Sequence, residues 1–470
     1  MRHVLPPSVR SALLLALWLV GVAGTGVFGA WTAQAEPVVT AMTRISAYPS
    51  MGIDTTELVC LPKPHTTPKA PTEPMELPSD DDLAGLSVPP PTDAPAPVTI
   101  THPKSGFKVA LFGDSHLAAG SFSGELIRLS GLDAVTSQLI PATVDRPGVR
   151  LNLKRVCSSG GWQYEASYAG IEAAQFPGPG LSSARAPLSD AQLSFDLRLP
   201  NGTAWTTRVS VLYHQSDIPQ RLAIRVDRGE ALTVELPAGP PQPAQLEIIA
   251  PRPISIVSLT TQSTEFRFQG LKLPTAPRAA LTLDSFGYPG ATVMGFDKAN
   301  VEYWAQWFTP NDYDAVVLWF GTNEGNVPSF DASAYELGLR ASLSKMRRVF
   351  PTAACLLVGP ADRGVITPAA HKKRKRLKTH QRQQQLLKYS LIHAQINQIQ
   401  QRVGSEFQCQ AFDLQRAMGG LGSAYRWSKS TPRKMAPDLI HFTPAGYREL
   451  ADAFAHAIGW DERLFENPSP

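Results

Sequence analysis

Three stretches of this chain are apolar almost from end to end: residues 108–112 (KVALF), 314–320 (DAVVLWF) and 354–359 (ACLLVG). A strand wet on one face alternates polar and apolar side chains. Continuous runs of this length therefore belong to strands covered on both faces, as in a parallel sheet. Parallel neighbours need helical crossovers, and the sequence supplies them. Residues 335–348 read as a helix, and Ile392, Ile396, Ile399 and Val403 form a stripe at helical spacing that leads to another strand near 407–412. Thr443 as cap and Pro444 in the first turn start a last helix that buries Tyr447, Leu450 and Phe454. Strand, tight turn and helix after residue 105, and the same style after residue 280, define an α/β domain.

Between those two parts the period changes to two. Leu193, Phe195, Leu197 and Leu199 alternate with polar residues, as do Val209, Val211 and Tyr213. Leu222, Ile224 and Val226 repeat the pattern, then Leu232, Val234 and Leu236, with turn chemistry at Asn201-Gly202 and Arg228-Gly229. Short alternating strands at close spacing predict an antiparallel sandwich. The expected organisation is an α/β domain in two parts, 105–149 and 281–460, interrupted by an all-β module over 150–280 and followed by a tail over 461–470.

Residues 1–35 carry an export address. Arg2 and Arg10 give a positive start, an apolar run follows over 12–31, and Ala33-Gln34-Ala35 offers small residues at a cleavage spacing. The run is close to the ~20 residues that span a bilayer, so a cleaved signal and a retained inner-membrane anchor both fit. Either places the remainder in the periplasm or cell envelope of a bacterium. Residues 36–104 are expected to form a tether, since 61–103 is dominated by Pro, Thr, Ala and acids that cannot offset their ordering entropy by burial. A net charge of +4 is too small a surplus for a nucleic-acid binder. Four Cys with no CxxC pair or Cys/His cluster exclude a disulfide-dense scaffold and a structural zinc site. Outside the cytoplasm Cys60 is a candidate partner for Cys157, while Cys355 and Cys409, on two strands, read as buried thiols.

Four short segments stand where a parallel sheet would deliver them to one rim. Ser115, in Gly113-Asp114-Ser115-His116, sits past a buried strand at a helix start, where its hydroxyl and backbone N–H face the carboxyl edge of the sheet. Asp438 lies three residues before His441, within reach of its Nδ1–H, which fixes the tautomer and frees Nε2 as a base. Asn323, in Gly321-Thr322-Asn323-Glu324, follows the apolar strand that ends at Phe320. Gly290, in Gly287-Tyr288-Pro289-Gly290, allows a backbone N–H to approach a ligand closely.

In order and residue type these segments resemble the conserved blocks of the SGNH/GDSL hydrolase family. The resemblance covers about residues 105–135 and 281–460. It implies a flavodoxin-like three-layer α/β/α domain in which His441 deprotonates Ser115 as Oγ attacks an ester carbonyl and Asp438 steadies the imidazolium. The N–H groups of Ser115 and Gly290 and the Asn323 amide would cradle the oxyanion. No metal or organic cofactor is implied. The family's usual Leu after the nucleophile is His116 here, which resembles the variant of carbohydrate O-acetylesterases and O-acetyltransferases. An export signal, a tether and an inserted carbohydrate-binding-like β module also resemble peptidoglycan O-acetylesterases, so the expected substrate is O-acetylated peptidoglycan or a related glycan, at the muramoyl C6 hydroxyl. An O-acetyltransferase with the same triad and a non-catalytic glycan-binding envelope protein are the alternatives.

His116 is open to three readings: a support for the site, a substrate contact, or a first-turn residue facing solvent. Asp362 and Arg363 follow a strand on the same rim, where substrate contact and structural pairing both fit. The basic run Lys372, Lys373, Arg374, Lys375, Arg376 and Lys378 reads as a solvated face or as an attractor of an anionic polymer. Trp162, Tyr164, Tyr168, Trp205 and Tyr213 read as core or as sugar-stacking surfaces, while Tyr303, Trp304, Trp307 and Phe308 read as a helix packed on the sheet.

Overall fold

The computed structural model describes residues 41–47, 58, 60, 75–78, 106–132, 135–168, 175–276, 279–309, 312–368 and 379–460. The export address at 1–35 and the basic run at 372–378 lie outside the described residues. Each apolar run becomes a strand of a six-stranded parallel sheet: β1 (Phe107–Gly113), β2 (Val135–Thr136), β3 (Leu281–Gly287), β4 (Ala315–Trp319), β5 (Ala354–Val358) and β6 (Cys409–Phe412). Their order across the sheet is β6-β5-β4-β1-β3-β2. With the two-residue β2 set aside, the first strand lies between the second and the third, the flavodoxin-like order, and the winding reverses between β1 and β4.

Helices α1 (Ser115–Ala118) and α2 (Ser121–Leu129) follow β1, and α3 (Met294–Lys298) and α4 (Val301–Ala305) follow β3. Helix α5 (Ala332–Val349) joins β4 to β5, and α6 (Thr379–Glu406) joins β5 to β6. Helices α7 (Leu414–Ala417), α8 (Ser423–Lys429) and α9 (Pro444–Ile458) complete the domain. The central strand shows why three layers form. Val109 and Leu111 pack with Phe122 and Leu126 of α2 and with Leu450 and Phe454 of α9. Ala110 and Phe112 face the other way, toward Trp304 of α4, Leu339 and Met346 of α5 and Ile396 of α6. Helix α9 starts as its sequence predicts: Thr443 caps the N–H of Gly446, Pro444 occupies the first turn, and Gly459, at φ 66°, closes the C-terminus.

The alternating segments build two sheets packed on a shared apolar core that includes Phe195, Val211, Ile224, Leu246 and Phe268. One sheet has seven strands and the other five. Two of the seven come from outside the expected module. Leu139–Pro141 pairs with Phe266–Lys272, so the β structure begins before residue 150. Ala41–Ser46, expected in the tether, adds in parallel to the edge strand Gln242–Ile249, whose open N–H and C=O groups a passing segment can satisfy. A further piece of the expected tether, Met75–Glu76, pairs antiparallel with Thr367–Pro368 in the loop after β5, and Lys429 Nζ donates to Pro78 O at 2.7 Å.

Cys60 is disulfide-bonded to Cys157. Cys355 and Cys409 are bonded as well, which corrects their reading as free thiols. They stand directly opposite each other on adjacent strands β5 and β6, with Cα atoms 4.5 Å apart, inside the range a bridge requires. The aromatic residues of the β module serve packing. Tyr168 and Tyr213 are buried, and Trp162, Tyr164 and Trp205 pack against the sandwich core, with Trp162 Nε1 donating to Gln192 O at 3.0 Å. Trp304 and Trp307 join the two architectures by donating to Pro179 O and Pro177 O, each at 3.0 Å.

Candidate active site

Strand β1 ends at Gly113, and Asp114 turns the chain into α1 by accepting the His116 N–H at 2.9 Å. This leaves Ser115 at the first helical position, on the carboxyl edge beside the reversal between β1 and β4. The partner side chains arrive on the loop before α9. There Ala436 N donates to His441 O at 2.8 Å, and Leu439 takes a left-handed φ of 56°. Asp438 Oδ1 accepts the N–H groups of Ile440 at 3.0 Å and His441 at 2.9 Å, so Oδ2 is left for the His441 ring. His441 Nδ1 lies 2.6 Å from Asp438 Oδ2, and its Nε2 lies 2.9 Å from Ser115 Oγ. A hydroxyl, an imidazole and a carboxylate from positions 326 residues apart thus form one hydrogen-bonded line.

The electrostatics suit proton transfer from the hydroxyl. Burial opposes ionisation of Asp438, yet hydrogen bonds from the His441 ring and from two backbone N–H groups hold its carboxyl well below the usual range. The Asp438 hydrogen bond raises His441 above an ordinary imidazole against the opposing effect of burial, making it a stronger base. Ser115, Gly148, Gly290, Asn323, His441 and Tyr447 are among the residues lining a cleft of about 570 Å³. Gly290 has φ 84°, a left-handed conformation that favours glycine. Asn323 Nδ2 spends one N–H on Ala291 O at 2.8 Å, which fixes the amide plane beside the Gly290 turn. Glu324 bridges the same two loops, its Oε1 accepting Val293 N at 2.8 Å and its Oε2 accepting Gly321 N at 3.1 Å. That brace was missed from sequence; a carboxylate next to the Asn of the turn was the only available signal. Among the described residues no group of three or more His, Cys, Asp or Glu side chains is placed to hold a metal.

A family model described as GDSL-like lipase/acylhydrolase matches residues 258–449, a stretch that includes Gly290, Asn323, Asp438 and His441. The α/β domain belongs to the SGNH/GDSL hydrolase family. A solved structure of a peptidoglycan O-acetylesterase is similar to this chain with a TM-score of 0.56 and 22% identity, over 76% of this chain and 91% of that one. At that identity the likeness establishes the shared fold. A family two carbohydrate esterase from Clostridium thermocellum, solved with cellohexaose, is 11% identical with a TM-score of 0.26, over 64% of this chain and 100% of that one. No curated protein matches the sequence.

Within this SGNH domain three expected contacts lie elsewhere. His116 is fully buried, so it faces neither solvent nor substrate. Its one-turn helix packs against β3 and β1, and its ring stacks on Trp319 of β4 with an interplanar angle of 8°. Asp362 is also buried, and it serves as a hub: it accepts Gln415 Nε2 at 2.8 Å and Ala424 N at 2.9 Å, and it bonds the Ser390 hydroxyl. Arg363 bonds Asn326 Oδ1 and lays its guanidinium 4.1 Å over the Tyr389 ring, which commits one edge and one face of the group to structure. Neither Asp362 nor Arg363 lines the Ser115 cleft. Asp114 is buried as well, and burial pushes its carboxyl up to about 7 against the His116 N–H bond.

Proposed function

We propose that this SGNH-family acyl esterase removes O-acetyl groups from a cell-envelope glycan, the muramoyl C6 acetyl of peptidoglycan, by a Ser115–His441–Asp438 acyl-enzyme mechanism. The observation that carries the reading is the line from Asp438 Oδ2 through His441 to Ser115 Oγ, at 2.6 and 2.9 Å, opening on one cleft. In the first step His441 takes the Ser115 proton as Oγ bonds the ester carbonyl carbon. The N–H groups of Ser115 and Gly290 and the free N–H of the Asn323 amide face the developing oxyanion. Collapse expels the sugar alkoxide, which takes the proton back from His441. Water, deprotonated by His441, then releases acetate and restores Ser115.

The substrate assignment draws on His116 after the nucleophile, on the export address at the N-terminus and on the β sandwich beside the hydrolase domain. By the same reading the chain works in the periplasm, released after cleavage or held at the inner membrane by its N-terminal segment. The test is acetate release from purified O-acetylated peptidoglycan, with acetylated xylan as comparison and with an oligosaccharide acceptor added or omitted. We expect peptidoglycan to be preferred and Ser115→Ala to abolish turnover. Transfer to the acceptor exceeding free acetate would make the enzyme a transferase, and preference for xylan would remove the peptidoglycan assignment.

A further inference from the structure

Two hydrogen bonds hold the His441 ring along its Nδ1–Nε2 axis, but neither prevents it from rolling about that axis. A third contact is therefore needed to fix the plane of the ring. His116 supplies an aromatic surface there: its ring centroid is 5.3 Å from that of His441, with the planes inclined at 46°. The His116 ring is itself clamped. Trp319 of β4 stacks on it at 5.5 Å, Phe442 packs against it at 5.2 Å, and Nδ1 lies 3.3 Å from the Tyr447 hydroxyl of α9.

We propose that His116 is a positioning residue for the reaction, an uncharged aromatic buttress held by Trp319 and Tyr447 that fixes the plane of His441 and stabilises the positive charge forming on it. A neutral ring offers its π surface to a cation, whereas a second imidazolium would repel it at this separation. Several charged or titratable groups bear on His116: Asp114 on its own turn, His441 and Asp438 on the base loop, His393 on α6 and Tyr447 on α9. Burial dominates, followed by repulsion from His441, and together they push His116 down to about 3, so it stays neutral throughout the working range. This explains a polar residue in a dry site: Nδ1 anchors the ring, and burial keeps it uncharged.

The inference rests on the triad reading and not on the identity of the glycan. The experiment follows His441 by NMR titration of its ring, which needs no turnover, alongside kcat and KM on a small acetyl ester. In His116→Leu the π surface is lost, and the His441 titration is expected to move down by about half a pH unit. With the ring free to roll, kcat should fall roughly tenfold while KM stays within about twofold. His116→Phe restores an aromatic face but not the Nδ1 anchor, so it should bring the titration and kcat back to about the level of Tyr447→Phe. Tyr447→Phe releases the His116 ring and should give a smaller loss of the same kind, which keeps the test open if His116→Leu does not fold. An unmoved His441 titration in both His116→Leu and Tyr447→Phe overturns the proposal, whatever happens to kcat, because a packing role alone would leave that titration in place. Failure of acetate release from peptidoglycan would instead overturn the substrate assignment and leave the His441 titration as it was.

Discussion

Replacing Glu324 by Gln tests whether a single carboxylate braces the two loops that carry Gly290 and Asn323. Its oxygens accept Val293 N at 2.8 Å and Gly321 N at 3.1 Å. Glutamine keeps one acceptor but turns an NH₂ group toward the other N–H, so one backbone donor loses its partner and faces a second donor. Such a loss costs about 1–3 kcal/mol, and Glu324→Ala, which removes both acceptors, should cost more. The urea midpoint should fall accordingly at an unchanged slope. Because the brace stands behind the two loops proposed to supply oxyanion donors, kcat on a small acetyl ester should fall roughly tenfold, short of the 10²–10³ expected for removing a donor outright.

The pH dependence sharpens the test. Burial pushes Glu324 from 4.5 up to about 7, against the hydrogen bond from Val293 N–H. A carboxyl raised on folding contributes stability that is fully present below pH 4.5 and is lost as pH rises through about 7. Glutamine does not titrate, so the stability gap between wild type and Glu324→Gln should be wider at about pH 5 than at about pH 8. Wild-type midpoint and kcat in Glu324→Gln at both pH values would refute the brace.

Asp438→Asn removes the group that raises His441, so kcat should drop by on the order of 10³–10⁴ and the acid limb of the pH–rate profile should move to lower pH. Asn323→Ala removes the proposed oxyanion donor together with the bond to Ala291 O, and kcat should fall by about 10²–10³ with little change in KM. Cys60→Ser opens a loop of sequence separation 97, and urea unfolding should show a loss of about 2–5 kcal/mol while small-ester turnover per folded molecule is retained.

The α/β domain was legible because strands buried on both faces leave continuous apolar runs, and the base loop was legible because Asp438 and His441 are neighbours in sequence. Residues whose roles depend on distant segments were not. Asp362 draws its partners from Ser390, Gln415 and Ala424, three separate elements, so its position after β5 left substrate contact and structural pairing equally open. His116 gave no sign of burial, since a four-residue helix has no periodicity to read and its covering residues, Trp319, Phe442 and Tyr447, lie more than 200 positions away. The Cys355–Cys409 bond follows from the adjacency of β5 and β6, which is a property of strand order and not of spacing. Ala41–Ser46 is short and lies among residues read as linker, and only the exposed edge of Gln242–Ile249 makes it a strand.

The Cys60–Cys157 bond also determines where mechanical load enters the protein. A pull on the chain ahead of residue 60 meets first Ala41–Ser46, paired in the seven-stranded sheet, and then a covalent junction into Arg155–Ser159, an edge strand of the five-stranded sheet. The contacts of Met75–Glu76 and Pro78 with the loop behind β5 and with Lys429 lie beyond that junction and are spared the force. Tension on the N-terminal segment therefore enters the fold through the β sandwich, ahead of the domain that carries Ser115 and His441.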